Sequence, residues 1–108
     1  MYAFDIERPS TISDAVVALK TDEAQPLGGG QTLIPTLKQR LASPSKLVCL
    51  SGIAEMKGIC DADDGRLCIG GGTTHAEVAA GAGRYPALAA LAANIGDPAV
   101  RNRGTIGG

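Results

Sequence analysis

The sequence predicts a mixed α+β (α/β) fold: a small parallel or mixed sheet with flanking helices and one β-hairpin. Three observations carry this prediction. Residues 25–50 run strand, glycine loop, helix, strand, a unit that favours a parallel strand pair. Residues 58–70 place two short apolar runs around an Asp64-Gly65 turn. Helical patterns with capping residues fill the remaining stretches.

At 108 residues the chain has the length of one small domain. Apolar residues make up 44% and charged residues 19%, the balance of a globular rather than a disordered chain. The net charge of −1 argues against a basic nucleic-acid face. Only Tyr2, Phe4 and Tyr85 are aromatic, too few for a base-stacking platform. The start "MYAFDIERP" has no apolar signal-peptide core, and no apolar run is long enough to span a membrane. Three cysteines at irregular spacing do not form a secreted disulfide framework, so a cytoplasmic protein is expected.

Taken in order, residues 2–6 read as a short strand. Thr11 and Asp14 have capping-box spacing, and Ile12, Ala15, Val16 and Leu19 then fall on one helical face expected to meet the core. Residues 25–27 form a strand that runs into Gly28. Thr32 is placed to cap a helix over 33–41, with Leu33, Leu37 and Leu41 along one stripe and Pro35 in the first turn. "SPS" turns the chain, and "KLVCL" at 46–50 is a buried strand. In the hairpin, a two-residue turn at Asp64-Gly65 would pair Asp61 with Cys68 and Cys60 with Ile69, gathering the apolar residues on one face. A three-residue loop would instead set Cys60 opposite Cys68 but mix the faces. The first register is therefore expected, and with it no Cys60–Cys68 disulfide.

Thr74 and Glu77 have the spacing of a second capping box. His75, the single histidine, is expected at an exposed first-turn position, because no partner for a catalytic base is visible. "YPALAALAANIG" is apolar all round and reads as a buried helix ended by Gly96-Asp97-Pro98.

The functional signal lies in the glycines. "LGGGQTLIP" puts bare backbone between a strand and a helix start, where N–H groups can face an anion. It lacks the Gly-Lys-Ser/Thr end of a P-loop, and Leu33 stands where a G-x-G-x-x-G site needs its third glycine. By spacing alone, anion binding and a purely structural tight turn are equally open. "VRNRGTIGG" adds a second glycine turn beside Arg101 and Arg103, suited to a second contact with one diphosphate.

"LGGGQTLIPTLKQRLASPSKLVCLSGIAEMKGI", "IGGGTTHAEVA" and "IGDPAVRNRGTIGG" resemble the flavin-binding (medium) subunit of molybdenum hydroxylases. This is the molybdopterin dehydrogenase FAD-binding domain of the aerobic carbon monoxide dehydrogenase type, also found in xanthine dehydrogenase. The resemblance covers about Phe4 to Gly108. It implies the first subdomain of the vanillyl-alcohol-oxidase-type FAD-binding fold. It also implies that residues 1–108 are the N-terminal part of a longer FAD-binding domain, stopping after Gly108, and inactive by themselves.

The cofactor so implied is FAD. Its diphosphate would meet Gly28, Gly29, Gly30, Gln31 and Thr32, and again Thr105, Gly107 and Gly108. Leu27, Leu33 and Ile34 flank the first loop, and Ile95 precedes the second. No residue of the chain is assigned to catalysis or to a metal. The implied activity is that of a flavoprotein oxidoreductase subunit, carrying electrons from iron–sulfur clusters through FAD to an external acceptor. The molybdenum cofactor and the 2Fe-2S clusters would sit on partners, a large and a small subunit. Two alternatives stand beside this: a docking or assembly fragment without flavin, and a stand-alone flavin reductase or oxidase of the same fold.

Overall fold

The computed structural model describes residues 1–108, which divide into two compact units, Met1–Glu55 and Met56–Gly108.

The first unit contains β1 (Asp5–Glu7), α1 (Ile12–Ala18), β2 (Ala24–Leu27), α2 (Leu33–Lys38) and β3 (Lys46–Cys49). Its sheet has the order β1-β3-β2, and both pairings are parallel, as two strand–helix–strand crossovers require. The most apolar strand takes the centre: Leu47, Val48 and Cys49 of β3 are buried, while β1 is an exposed edge. Pro26 sits on β2, the other edge, where its missing N–H interrupts no ladder.

α1 begins as its sequence predicts. The Thr11 hydroxyl accepts from the Asp14 N–H at 3.1 Å. A second cap comes from far along the chain, where the Glu55 carboxylate accepts from the Ile12 N–H at 3.1 Å. The buried face differs from the expected one. Ala15 and Ala18 are buried, whereas Ile12 and Val16 are exposed together with Val17. The small alanines let the helix lie close to its support, and the branched residues are turned outward.

α2 stops three residues short of the expected end at Leu41. Arg40 adopts φ +58°, its N–H bonds to the Leu37 carbonyl, and the Leu41 N–H reaches back to the Thr36 carbonyl, each at 3.1 Å. This closure satisfies the last carbonyls and ends the helix without a glycine. Leu41 lies beyond it, 73% exposed, so the stripe reduces to half-buried Leu33 and buried Leu37.

The second unit contains β4 (Ile59–Asp61), β5 (Leu67–Ile69), α3 (His75–Gly81), α4 (Pro86–Ala93) and α5 (Pro98–Arg101). The hairpin forms in the register that the sequence reading rejected: Ile59 opposite Ile69, Cys60 opposite Cys68, Asp61 opposite Leu67. Gly65 at φ +86° ends a three-residue loop closed by the Ala62 N–H on the Arg66 carbonyl at 2.8 Å. The mixed face costs little, because Asp61 stays at the surface. Its carboxylate is held by Arg84, whose other nitrogen donates to the Gly65 carbonyl at 2.8 Å.

Behind the hairpin, Val78, Ala82 and Ala92 form a buried cluster against Leu67, Ile69, Ala79, Leu88 and Ala89. α4 is only half covered: Ala92 is buried, but Leu91 is 63% exposed. Its all-round apolar sequence therefore does not make it an interior helix here. α5 has no counterpart in the sequence reading, although its start carries a signal. The Asp97 carboxylate accepts from the Val100 N–H at 2.9 Å, with Pro98 in the first helical position.

Candidate functional site

β2 delivers the chain to the first glycine loop, and its exit is fixed by the Leu50 N–H on the Leu27 carbonyl at 2.9 Å. The backbone then changes character. None of the N–H groups from Gly28 to Leu33 finds an acceptor within the protein. The first internal bond after them is the Ile34 N–H on the Gly30 carbonyl at 3.0 Å, which opens α2.

Gly30 shapes this loop. It sits at φ +76°, and a Cβ there would lie 2.9 Å from Ile34 Cγ1 and 3.4 Å from Leu27 Cδ1. Leu27 and Ile34 thus pack beneath Gly30 and support the loop. The Gln31 amide donates to the Gly29 carbonyl at 3.2 Å. Thr32 occupies the capping position, but its hydroxyl makes no capping bond, contrary to expectation. Gln31 and Thr32 are exposed, and no acidic residue lies between Gly28 and Ile34. Unpaired backbone donors, an uncommitted hydroxyl and no negative charge suit an anion.

The second glycine turn is built differently. The Ile106 and Gly107 N–H groups donate to Thr73 and Gly71 carbonyls, both at 2.9 Å, and the Gly108 N–H closes on Thr105 at 3.1 Å. Its donors are therefore largely committed. The Thr105 hydroxyl donates to the Gly108 carbonyl at 2.7 Å. Arg101 is committed too: it donates to the Ile95 and Gly96 carbonyls at 3.3 and 2.8 Å and so ties α5 to the end of α4. Ile95 itself is half-buried, and Arg103 is exposed.

The family model for the FAD binding domain in molybdopterin dehydrogenase matches residues 2–108. The chain belongs to this family. It is 40% identical over 111 residues to the carbon monoxide dehydrogenase medium chain of Afipia carboxidovorans, covering 98% of this chain and 38% of that protein. It is 36% identical to the nicotine 6-hydroxylase medium subunit of Paenarthrobacter nicotinovorans, covering 93% and 36%. Among solved structures, reconstituted CO dehydrogenase from Oligotropha carboxidovorans superposes with a TM-score of 0.92 at 38% identity, covering 98% of this chain and 38% of that one. The chain thus spans about two fifths of the length of the relatives it matches.

As a member of the molybdopterin dehydrogenase FAD-binding family, the domain can be tested for its fit to the flavin. The donor run at Gly28–Leu33 fits a diphosphate, whereas the second turn offers close approach rather than free donors. A cleft lined by Glu7, Arg8, Pro9, Asp14, Val17, Ala18, Thr21 and Lys46 shares no residue with either loop. Its mixed charges do not favour an anion.

Sequence reasoning missed Thr73, which is fully buried. Its hydroxyl accepts from the Gly58 N–H at 2.9 Å, and its carbonyl receives Ile106. The paired Thr73-Thr74 in "IGGGTTHAEVA" was the available signal. His75 is half-buried rather than exposed: its N–H donates to the Gly104 carbonyl at 3.0 Å, and its ring edge lies against Gly104. No group of three or more His, Cys, Asp or Glu side chains is arranged to hold a metal, and no helix is long and apolar enough to cross a membrane.

Proposed function

We propose that this chain is part of the FAD-holding subunit of a molybdenum hydroxylase of the carbon monoxide dehydrogenase type. The observation that carries the reading is the run of backbone N–H groups from Gly28 to Leu33 with no internal acceptor, placed directly after a parallel strand. Membership of the FAD-binding family and the names of the relatives support it.

Gly28, Gly29, Gly30, Gln31 and Thr32 would hold the flavin diphosphate, with Leu27, Leu33 and Ile34 fixing the loop. By family membership, Thr105, Gly107, Gly108 and Ile95 are also assigned to the flavin in this reading. When bound, FAD supplies a carrier that takes electrons from iron–sulfur centres and gives them to an external acceptor. The part of this chain is to bind and orient that carrier. The molybdenum cofactor and the iron–sulfur clusters belong, in this reading, to a large and a small partner subunit. The three unpaired thiols are in keeping with a cytoplasmic location.

Titration of FAD into the chain, followed by flavin fluorescence and thermal unfolding, tests the reading. Saturable binding with a raised melting temperature is expected. An unchanged melting temperature and unquenched fluorescence at millimolar FAD would count against a working site in this chain.

A further inference from the structure

We propose that Cys60 and Cys68 form a dithiol–disulfide site on the exposed face of the β4–β5 hairpin. The two residues are directly opposite in the antiparallel register, so their side chains leave the same face. The ladder alternates between bonded and non-bonded pairs, and the Ala62–Arg66 and Gly58–Gly70 pairs on either side are both bonded. Cys60–Cys68 shares their parity. In such a pair the Cα atoms are about 5.5 Å apart, inside the disulfide range of about 4.4–6.8 Å. The Cβ atoms, however, lie near the wide end of about 4.5–5.5 Å, beyond the relaxed spacing of about 3.5–4.5 Å. Closing the bond therefore draws the two strands together and leaves a strained, readily reduced disulfide.

Both thiols are exposed, while Cys49, the third cysteine, is buried in the other unit. Arg84 reinforces the register by holding Asp61 and the Gly65 carbonyl at the hairpin end. The pair is thus held in place before any bond forms.

The oxidant is a small-molecule disulfide. One cysteine thiolate attacks it, forming a mixed disulfide and releasing one thiolate. The second cysteine thiolate then attacks the protein sulfur of that mixed disulfide and expels the second small thiolate. The protein loses two electrons and two protons, and the small disulfide is reduced to two thiols.

The experiment uses the 108-residue chain and glutathione disulfide, read by intact mass and peptide mapping. The expected product lacks two hydrogens, contains a Cys60–Cys68 crosslink, keeps Cys49 as a thiol and reverts with dithiothreitol. Cys60→Ser should instead retain a stable glutathione adduct at Cys68, and Cys49→Ser should behave as the parent. Stable double glutathionylation of the parent, disulfide-linked dimers as the product, or unreacted thiols would each overturn the proposal. So would a two-hydrogen loss that persists in Cys60→Ser.

Discussion

Gly107 rests directly on the backbone of Gly71. Its N–H donates to the Gly71 carbonyl at 2.9 Å, and a Cβ on Gly107 would fall 2.7 Å from that oxygen. The obstacle is backbone, which cannot swing aside like a side-chain tip. Gly107→Ala should therefore destabilise the second unit by about 1–3 kcal/mol, the usual cost of overpacking. Gly83→Ala is the control, because a Cβ there meets nothing within 4 Å. Thermal unfolding of the two variants should show a lowered midpoint for the first and a nearly unchanged one for the second.

The first loop yields the opposite kind of prediction, a change in binding without a change in fold. Thr32 makes no side-chain capping bond, so Thr32→Val removes a hydroxyl that the fold does not use. Loss of one hydrogen bond to the flavin diphosphate should weaken FAD binding by about 1 kcal/mol, roughly fivefold in Kd, at constant melting temperature. Isothermal titration calorimetry and thermal unfolding of the same sample check both halves. Gly30→Val is a poor substitute, because φ +76° and the Ile34 contact at 2.9 Å make that glycine part of the fold itself.

Arg84→Ala should loosen the hairpin tip by removing both the Asp61 pair and the bond to the Gly65 carbonyl. The side chains of Arg84 and Asp61 are 49% and 61% exposed, so the loss should not exceed about 1 kcal/mol. Hydrogen exchange is the suitable probe. The Ala62 and Gly70 amides, which close the ladder, should exchange several-fold faster in the variant, with the α3 amides unchanged.

The Asp64 carboxyl titrates below its ordinary value of 3.8, chiefly because the Arg66 side chain bonds its ionised form. A depressed carboxyl stabilises the fold above its unfolded pKa, and that contribution is lost as pH falls through the folded value. The turn should therefore hold its geometry near neutral pH and loosen only below about pH 3.8. Carbon-13 carboxyl titration should show the lowered midpoint, and Arg66→Ala should return it toward 3.8.

The parallel sheet was legible because its signals are local. "KLVC" is apolar enough to be a central strand, and the glycine loop before Leu33 marks a crossover. Thr11 and Thr74 also cap their helices as their spacing leads one to expect, each hydroxyl accepting from the N–H three residues on, although neither acidic side chain returns the second bond of a full capping box. The failures arose where a distant partner decided the outcome. Arg84 lies 23 residues from Asp61, so the hairpin alone could not reveal that its mixed face would be neutralised. The end of α2 was set by Arg40 entering the left-handed region, which a leucine stripe does not report. At the candidate site, the glycine positions could be read directly. Which of the two turns keeps its N–H groups free could not, because that depends on the Gly70–Thr73 segment accepting from the second turn.

The most direct measurement is a titration of FAD into the nitrogen-15-labelled chain, following each backbone amide by NMR. The account predicts saturable shifts concentrated at the amides of Gly28 to Leu33, larger than those at Gly107 and Gly108, whose N–H groups are already bonded. Amides at Gly28 to Leu33 that stay unmoved at saturating FAD would contradict it.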